Sequence, residues 1–188
     1  MPAINAPSTC DAPTKSMTCQ WAARLETPLG MLTVWANERA ITKLDWVDTV
    51  PPEAADRPGN AITDQALSAL SAYFAPDEAR GDVTALDHLP VAPAVTPFRQ
   101  QILAAMRQIP AGQVHTYGDL AKAAGVSPGA VRAVGSACAT NPIPIIIPCH
   151  RVVAAGGKMG GFSGLGGLDT KQWLLHHEGW APRTPRLL

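Results

Sequence analysis

Cys149-His150-Arg151 is the tripeptide best equipped for chemistry in this chain. A cysteine attacks as thiolate, and a neighbouring His and Arg make an electropositive setting that favours that form. Three further cysteines stand at positions 10, 19 and 138, and none of the four shares the C-x-x-C spacing of a common zinc site. Free thiols are therefore expected. The competing reading is a buried cysteine that only packs, since free cysteine behaves as a small apolar residue. If Cys149 and His150 lay in one strand they would point to opposite faces, so contact between them would need a bend or a bridging water.

The elements around this tripeptide must position it. Asn141-Pro142-Ile143-Pro144 reads as a rigid turn, because each proline fixes its own φ and biases the residue before it. Ile145-Ile146-Ile147 reads as a short buried strand that delivers Pro148 and Cys149. Tyr117 to Ala139 has the pattern of a helix-turn-helix. A first helix over 118–124 turns Leu120 and Ala121 inward, and Gly125-Val126 makes the turn. Ser127-Pro128 opens a second helix with Ala130, Val131, Val134 and Ala137 at helical spacing. An αα-corner without DNA contact is the alternative. Arg132 is the one long polar side chain of this second helix, among Gly129, Ala133, Gly135 and Ser136. Reading bases in the major groove takes several such side chains. So lean a helix suits binding through phosphates and shape, with an arginine inserted where a base has left the stack. Damage recognition fits that; a sequence-specific repressor fits poorly.

The remaining elements divide the chain. Residues 1–17 read as a disordered tail rich in Pro, Ala, Ser and Thr. Residues 18–90 form an N-terminal domain that opens with an antiparallel meander. Its strands are Trp21–Leu25, Met31–Trp35 and Ile41–Trp46, with turns at Thr27-Pro28-Leu29-Gly30 and Asn37-Glu38-Arg39. Ile62 to Phe74 follows at helical spacing. Residues 91–188 form the C-terminal domain. Thr96-Pro97 starts a helix with Phe98, Ile102, Leu103, Met106 and Ile109 in one stripe, stopped by Pro110-Ala111-Gly112. The fold class expected is α/β in these two parts.

Charge is split the same way. Residues 1–90 carry 6 Lys+Arg against 12 Asp+Glu, whereas residues 91–188 carry 9 against 3. The basic half could face a polyanion, or the two halves could attract each other. Met1 to Lys15 lacks the basic and apolar regions of a secretory signal, and no apolar run approaches the roughly 20 residues that span a bilayer. A cytoplasmic protein with no membrane partner is expected.

Ile147-Pro148-Cys149-His150-Arg151-Val152 closely resembles the active-site motif of the O6-alkylguanine-DNA alkyltransferases, also called methylated-DNA–protein-cysteine methyltransferases. The resemblance runs from Thr96 to Trp180. It includes Gly112-x-Val114-x-Thr116-Tyr117-Gly118-x-Leu120-Ala121, Arg132-Ala133-Val134-Gly135, Asn141-Pro142-Ile143-Pro144 and Trp173-Leu174-Leu175-x-x-Glu178-Gly179. It implies a small ribonuclease-H-like N-terminal sheet with a helix, then a mostly helical domain carrying the site. The implied partner is double-stranded DNA containing O6-alkylguanine, bound by a monomer without a cofactor; O4-alkylthymine stays open. Cys149 corresponds to the alkyl acceptor, His150 to the residue that takes its proton through a water, and Glu178 to the carboxylate orienting that histidine. Arg132 corresponds to the finger filling the vacated stack and Asn141 to a hinge. Tyr117 corresponds to the residue that rotates the 3′ phosphate and assists the leaving guanine, and Ser163 to a loop residue bonding that guanine.

The stretch Leu165-Gly166-Gly167-Leu168 lengthens this loop by about two residues against the family pattern, and Phe162 replaces a frequent Tyr. Some relatives bind zinc near the N-terminus; Cys19 matches one ligand, but Trp35-Ala36 stands where a second would be, so no metal is expected. From the residues alone, His176 and His177 read as solvated, Trp173 and Leu174 as core, and Cys138 as a buried filler. Two other classes compete with an alkyltransferase. A lesion binder without repair activity would lack the cysteine, and a helix-turn-helix regulator would need a richer second helix.

Overall fold

The computed structural model describes residues 21–47, 54, 57–75 and 82–180, so the expected tail, Cys10 and Cys19 lie outside the described residues. Three strands, β1 (Trp21–Thr27), β2 (Gly30–Ala36) and β3 (Ile41–Val47), pair antiparallel in the order β1-β2-β3. The first hairpin closes where Thr27 pairs with Gly30, at a φ of +109° that suits glycine. Thr27 fixes that turn through its hydroxyl, which donates to the Gly30 carbonyl (2.7 Å) and accepts from Leu29 N–H (3.2 Å).

Leu32, Val34, Leu44 and Trp46 share a core with Ala66, Leu70 and Tyr73 of helix α1 (Ala61–Tyr73). Asn60 and Thr63 close the start of α1 as a reciprocal capping box. The other sheet face buries Ala22 and Trp35 with Ala54.

Helix α2 (Pro97–Met106) buries Ile102, Leu103 and Met106, with Phe98 packed at its edge. Helix α3 (Tyr117–Ala123) starts one residue earlier than its sequence pattern suggests, because Thr116 and Asp119 form a capping box. A 3₁₀ turn over Pro128–Ala130 leads into α4 (Val131–Ala139), completing the helix-turn-helix. Helix α5 (Gly167–His177) closes the chain's described part, and strands β4 (His115–Thr116) and β5 (Val152–Val153) pair in parallel beneath it. Among the described residues the architecture is thus α/β, a three-stranded antiparallel sheet with five α-helices.

The expected strand at Ile145–Ile147 is a buried turn. Ile147 N–H reaches back to Ile143 O (2.9 Å), and Pro144 bridges Ile147. Prolines 142 and 144 fix their own φ ahead of the segment, and Ile146 N–H donates to Pro144 O (2.9 Å), so the chain folds on itself here. Ile145 sits at φ +71°, alone among described non-glycine residues in that region. For a β-branched side chain this is strained backbone.

One core joins both halves, running from Leu32 to Leu174. Backbone bonds stitch the halves as well: Leu44 N–H donates to Pro142 O (2.9 Å), and Ala92 N–H to Ile41 O (2.8 Å). No helix among the described residues is long and apolar enough to cross a membrane.

Candidate active site

Cys149 opens a 3₁₀ turn over Cys149–Arg151 and is 6% exposed. It lines a cavity of about 370 Å³ together with Tyr117, Gly135, Cys138, Gly161, Phe162 and Ser163. Exposed Ala139, Gly161 and Ser163 in that lining leave the cavity open to solvent. A second cleft of about 280 Å³ reaches Cys149 from the N-terminal sheet, past Trp46, Asn141 and Ser163. The cysteine is buried but approachable from the face that carries α4.

Helical geometry bends the chain at the tripeptide, so His150 and Arg151 do not alternate as strand neighbours would. Both turn to Glu178, just beyond α5. His150 Nε2 lies 2.9 Å from Glu178 Oε1. Arg151 donates Nε to Oε2 (2.7 Å) and Nη2 to Oε1 (2.8 Å), and its Nη1 donates to Ile109 O (2.6 Å). Tyr73, from α1, donates its hydroxyl to Glu178 Oε1 (2.9 Å). Burial pushes the Glu178 carboxyl up, but His150 and Arg151 together hold it well below the usual carboxylate range. The carboxylate is therefore a buried anion rather than a solvated helix end. Gly112 makes room for the backbone at this position, since a Cβ there would stand 3.0 Å from the Glu178 main-chain carbonyl, at a φ of +75°.

This geometry corrects the electropositive reading of His150 and Arg151. Their charge is engaged by Glu178, and burial pushes the Cys149 thiol up, opposed by an Asn141 side-chain hydrogen bond, by Lys171 and by backbone N–H groups. At rest Cys149 is a thiol. Burial likewise pushes His150 down, although Glu178 pulls it up, so the imidazole is neutral. With Nε2–H directed to Glu178, the lone pair sits on Nδ1, which is buried and has no hydrogen-bond partner.

The other expected residues are distributed around the sulfur. Asn141 donates Nδ2 to Ile147 O (2.7 Å) and accepts from Ile143 N–H (3.1 Å), tying the end of α4 to the turn before Cys149. Tyr117 lies at the first position of α3, and burial raises its hydroxyl. Its ring packs so closely on Gly160 that a Cβ there would meet the hydroxyl at 2.9 Å. Ser163 is exposed and lines both openings. Its loop leans on the N-terminal sheet through an edge contact of Phe162 with Trp46 (6.2 Å). Arg132 does not join the cavity; it is exposed in the first turn of α4.

Lys171, Tyr73 and the cavity position of Cys138 escaped sequence reasoning. Lys171 is 0% exposed and donates Nζ to Val152 O (2.6 Å) and Gly160 O (3.4 Å). Its signal was present: Thr170, Lys171, Leu174, Leu175 and Glu178 share the buried face of one helix, two charges on an apolar stripe. Cys138 is buried as expected, yet it lines the same cavity as Cys149, and burial pushes its thiol up to about 12. His177 is not solvated; its Nε2 donates to Tyr73 O (2.6 Å) and its ring stacks on Trp173 (4.9 Å). Trp173, expected in the core, is 36% exposed over that stack. No group of three or more His, Cys, Asp or Glu among the described residues could hold a metal ion.

Two family descriptions match the sequence: 6-O-methylguanine DNA methyltransferase, ribonuclease-like domain, over residues 22–92, and the DNA binding domain of the same family over 97–180. A methylated-DNA–protein-cysteine methyltransferase of Shigella flexneri is 47% identical over 111 residues, 59% of this chain and 60% of that protein. The chain thus matches less than two thirds of that relative's length. The Homo sapiens protein of the same name is 40% identical over 167 residues, covering 82% of this chain and 78% of the relative. The crystal structure of Mycobacterium tuberculosis OGT in complex with DNA superposes with a TM-score of 0.67 at 34% identity, covering 84% of this chain and 92% of that one.

Proposed function

The chain belongs to the 6-O-methylguanine DNA methyltransferase family, and from that premise we propose that it repairs O6-alkylguanine in double-stranded DNA by moving the alkyl group onto Cys149. The observation that carries this is the placement of Cys149 in an open cavity under α4, with the His150–Glu178 pair behind it.

A group on guanine O6 lies inside the stacked duplex, so the nucleotide must swing out to reach a buried sulfur. Helix α4 presents small residues that let DNA approach closely, and exposed Arg132 fills the vacated stack. Asn141 holds the end of α4 at a fixed distance from Cys149. Tyr117 and Ser163 border the cavity that receives the base. The protein acts as a monomer built from domains over 18–90 and 91–188.

In the chemical step, the Cys149 proton passes through a water to the free Nδ1 of His150, and Glu178 stabilises the imidazolium. The sulfur attacks the alkyl carbon, the C–O6 bond breaks, and its electron pair stays on the guanine. Tyr117 donates a proton to the leaving base and regains one from solvent. The product is a thioether, which no side chain here can cleave, so each molecule reacts once. No cofactor takes part.

Intact-protein mass spectrometry after incubation with duplex DNA containing O6-methylguanine tests this. One added methyl per chain, absent in Cys149→Ala, is the expected result. Lesion binding with an unchanged mass would replace the proposal with a damage binder that does not repair.

A further inference from the structure

We propose that Leu165 and Phe162 form a two-point anchor on the N-terminal sheet that positions Ser163 over the cavity, making that sheet part of the apparatus that receives the base. The inference rests on the alkyl-transfer reading and extends it to a hairpin that reading does not use.

Residues 160–167 run Gly-Gly-Phe-Ser-Gly-Leu-Gly-Gly. Five glycines in eight positions give this loop little conformational preference of its own, and ordering such backbone is costly. Phe162, Ser163 and Leu165 are the residues there whose side chains could hold it, and they divide the work. Ser163 is exposed and lines both openings onto Cys149. Phe162 and Leu165 are half-buried and pack against the core that both halves share.

Both anchors land on one spot, where the β1–β2 turn meets β3. Phe162 meets Trp46 edge-on, with ring centroids 6.2 Å apart. Leu165 fills the space beside Gly30, where a Cβ would stand 3.1 Å from Leu165 Cδ2 and 3.6 Å from Trp46 Nε1. That spot is well braced. Trp46 is buried and donates Nε1 to Leu29 O (2.8 Å), and the Thr27 hydroxyl closes the same turn.

The loop's own geometry aims Leu165 there. Gly167 N–H donates to Gly164 O (3.1 Å), a tight turn with Leu165 at its corner and Gly166 at a φ of +77°. A side chain on Gly164 would collide with the Phe162 ring, and one on Gly166 with the Thr170 hydroxyl. Leu165 belongs to the stretch that lengthens this loop, so the added length reaches across to the other half of the molecule. Cys149 is held separately, by its 3₁₀ turn and by Asn141 bonded to Ile147 O. The anchor therefore governs where the base is received and leaves the sulfur in place.

The test follows reaction of the full chain with free O6-benzylguanine against its concentration, read by intact mass. In Leu165→Ala the half-saturating concentration rises about 5- to 30-fold, the cost of ordering about one more loop residue, while the limiting rate stays within about 2-fold. Iodoacetamide alkylation of Cys149 keeps its wild-type rate. Leu165→Met, of similar volume, restores the wild-type half-saturation. Amide hydrogen exchange over 160–167 quickens in Leu165→Ala, and exchange over 131–139 does not.

A folded Leu165→Ala with an unmoved half-saturation, or with unmoved exchange over 160–167, overturns the proposal. An equal loss of iodoacetamide reactivity also overturns it, because Leu165 would then support the cysteine itself. Wild type that gains no group from benzylguanine or from DNA refutes the repair reading instead, and exchange alone then decides the anchor.

Discussion

Behind Cys149 every charge has a partner. Glu178 receives Arg151, His150 and Tyr73 at 2.7–2.9 Å, and nothing in that network faces solvent. In front of it the lining is small, with Gly135, Ala139 and Gly161, and Phe162 and Ser163 ride on a loop. The contrast separates two jobs. A satisfied buried network is rigid and fixes one histidine tautomer, since removing any member strands the others. An open cavity keeps space for a guest.

The strongest way to break this division is Glu178→Gln. It strands a buried guanidinium, so stability in urea falls by about 3 kcal/mol, and methyl transfer is lost with it. The pH dependence sharpens the case. Glu178 has a depressed carboxyl, so its stabilisation is present above the ordinary value of 4.5 and is lost as pH falls below it. His150, held neutral, loses its share as pH falls below 6.5, where the unfolded chain takes up a proton. Urea unfolding of Glu178→Gln therefore keeps the loss that begins near 6.5 and lacks the further loss below 4.5.

A smaller effect, confined to the front, is expected from Arg132→Ala. The side chain is exposed and outside the cavity, so stability is unchanged. Transfer from duplex DNA slows about 10- to 100-fold, because the flipped-out state loses an inserted group worth about 1–3 kcal/mol. Transfer from a free O6-benzylguanine base, which needs no flipping, keeps its wild-type rate. Equal losses on both substrates would place Arg132 in the chemistry instead.

Tyr73→Phe is the mildest test of the rear. It deletes one hydrogen bond to a charged acceptor that retains its other donors, costing about 1.5 kcal/mol in urea. The rate of a single turnover changes little. A large rate loss without a stability loss would show that the network reaches the sulfur directly.

Much of this arrangement was legible in the residues. Turn chemistry at Thr27–Gly30 and alternation on either side revealed the meander, and Ser127-Pro128 marked the entry to α4. The tripeptide at 149–151 and the small residues of α4 marked two elements that meet at one cavity, while the preference for Cys149 as a reactive thiol over a packing one came from the family resemblance. What failed did so for physical reasons. Three isoleucines in a row satisfy the pattern of a buried strand, yet Ile145 takes a positive φ and the N–H groups of Ile146 and Ile147 turn back to Pro144 O and Ile143 O, which closes a turn instead of a ladder. Lysine on a helix normally faces water, which outweighs its spacing with Leu174, Leu175 and Glu178, yet α5 turns that stripe inward. Trp173 read as core because it is large and apolar, yet it caps a surface stack with His177 and Phe74. Tyr73 and Glu178 stand 105 residues apart, a contact that no local pattern encodes.

The twisted backbone at Ile145 has a consequence for how this protein fails. A branched side chain in that conformation costs about 1–3 kcal/mol and holds only while surrounding packing compels it. Mild heating or a loosened interior should release that kink early, letting the sulfur drift from its imidazole while the helices persist. Competence to react would then vanish before the circular dichroism does, making reactivity a finer gauge of the intact interior than helical content.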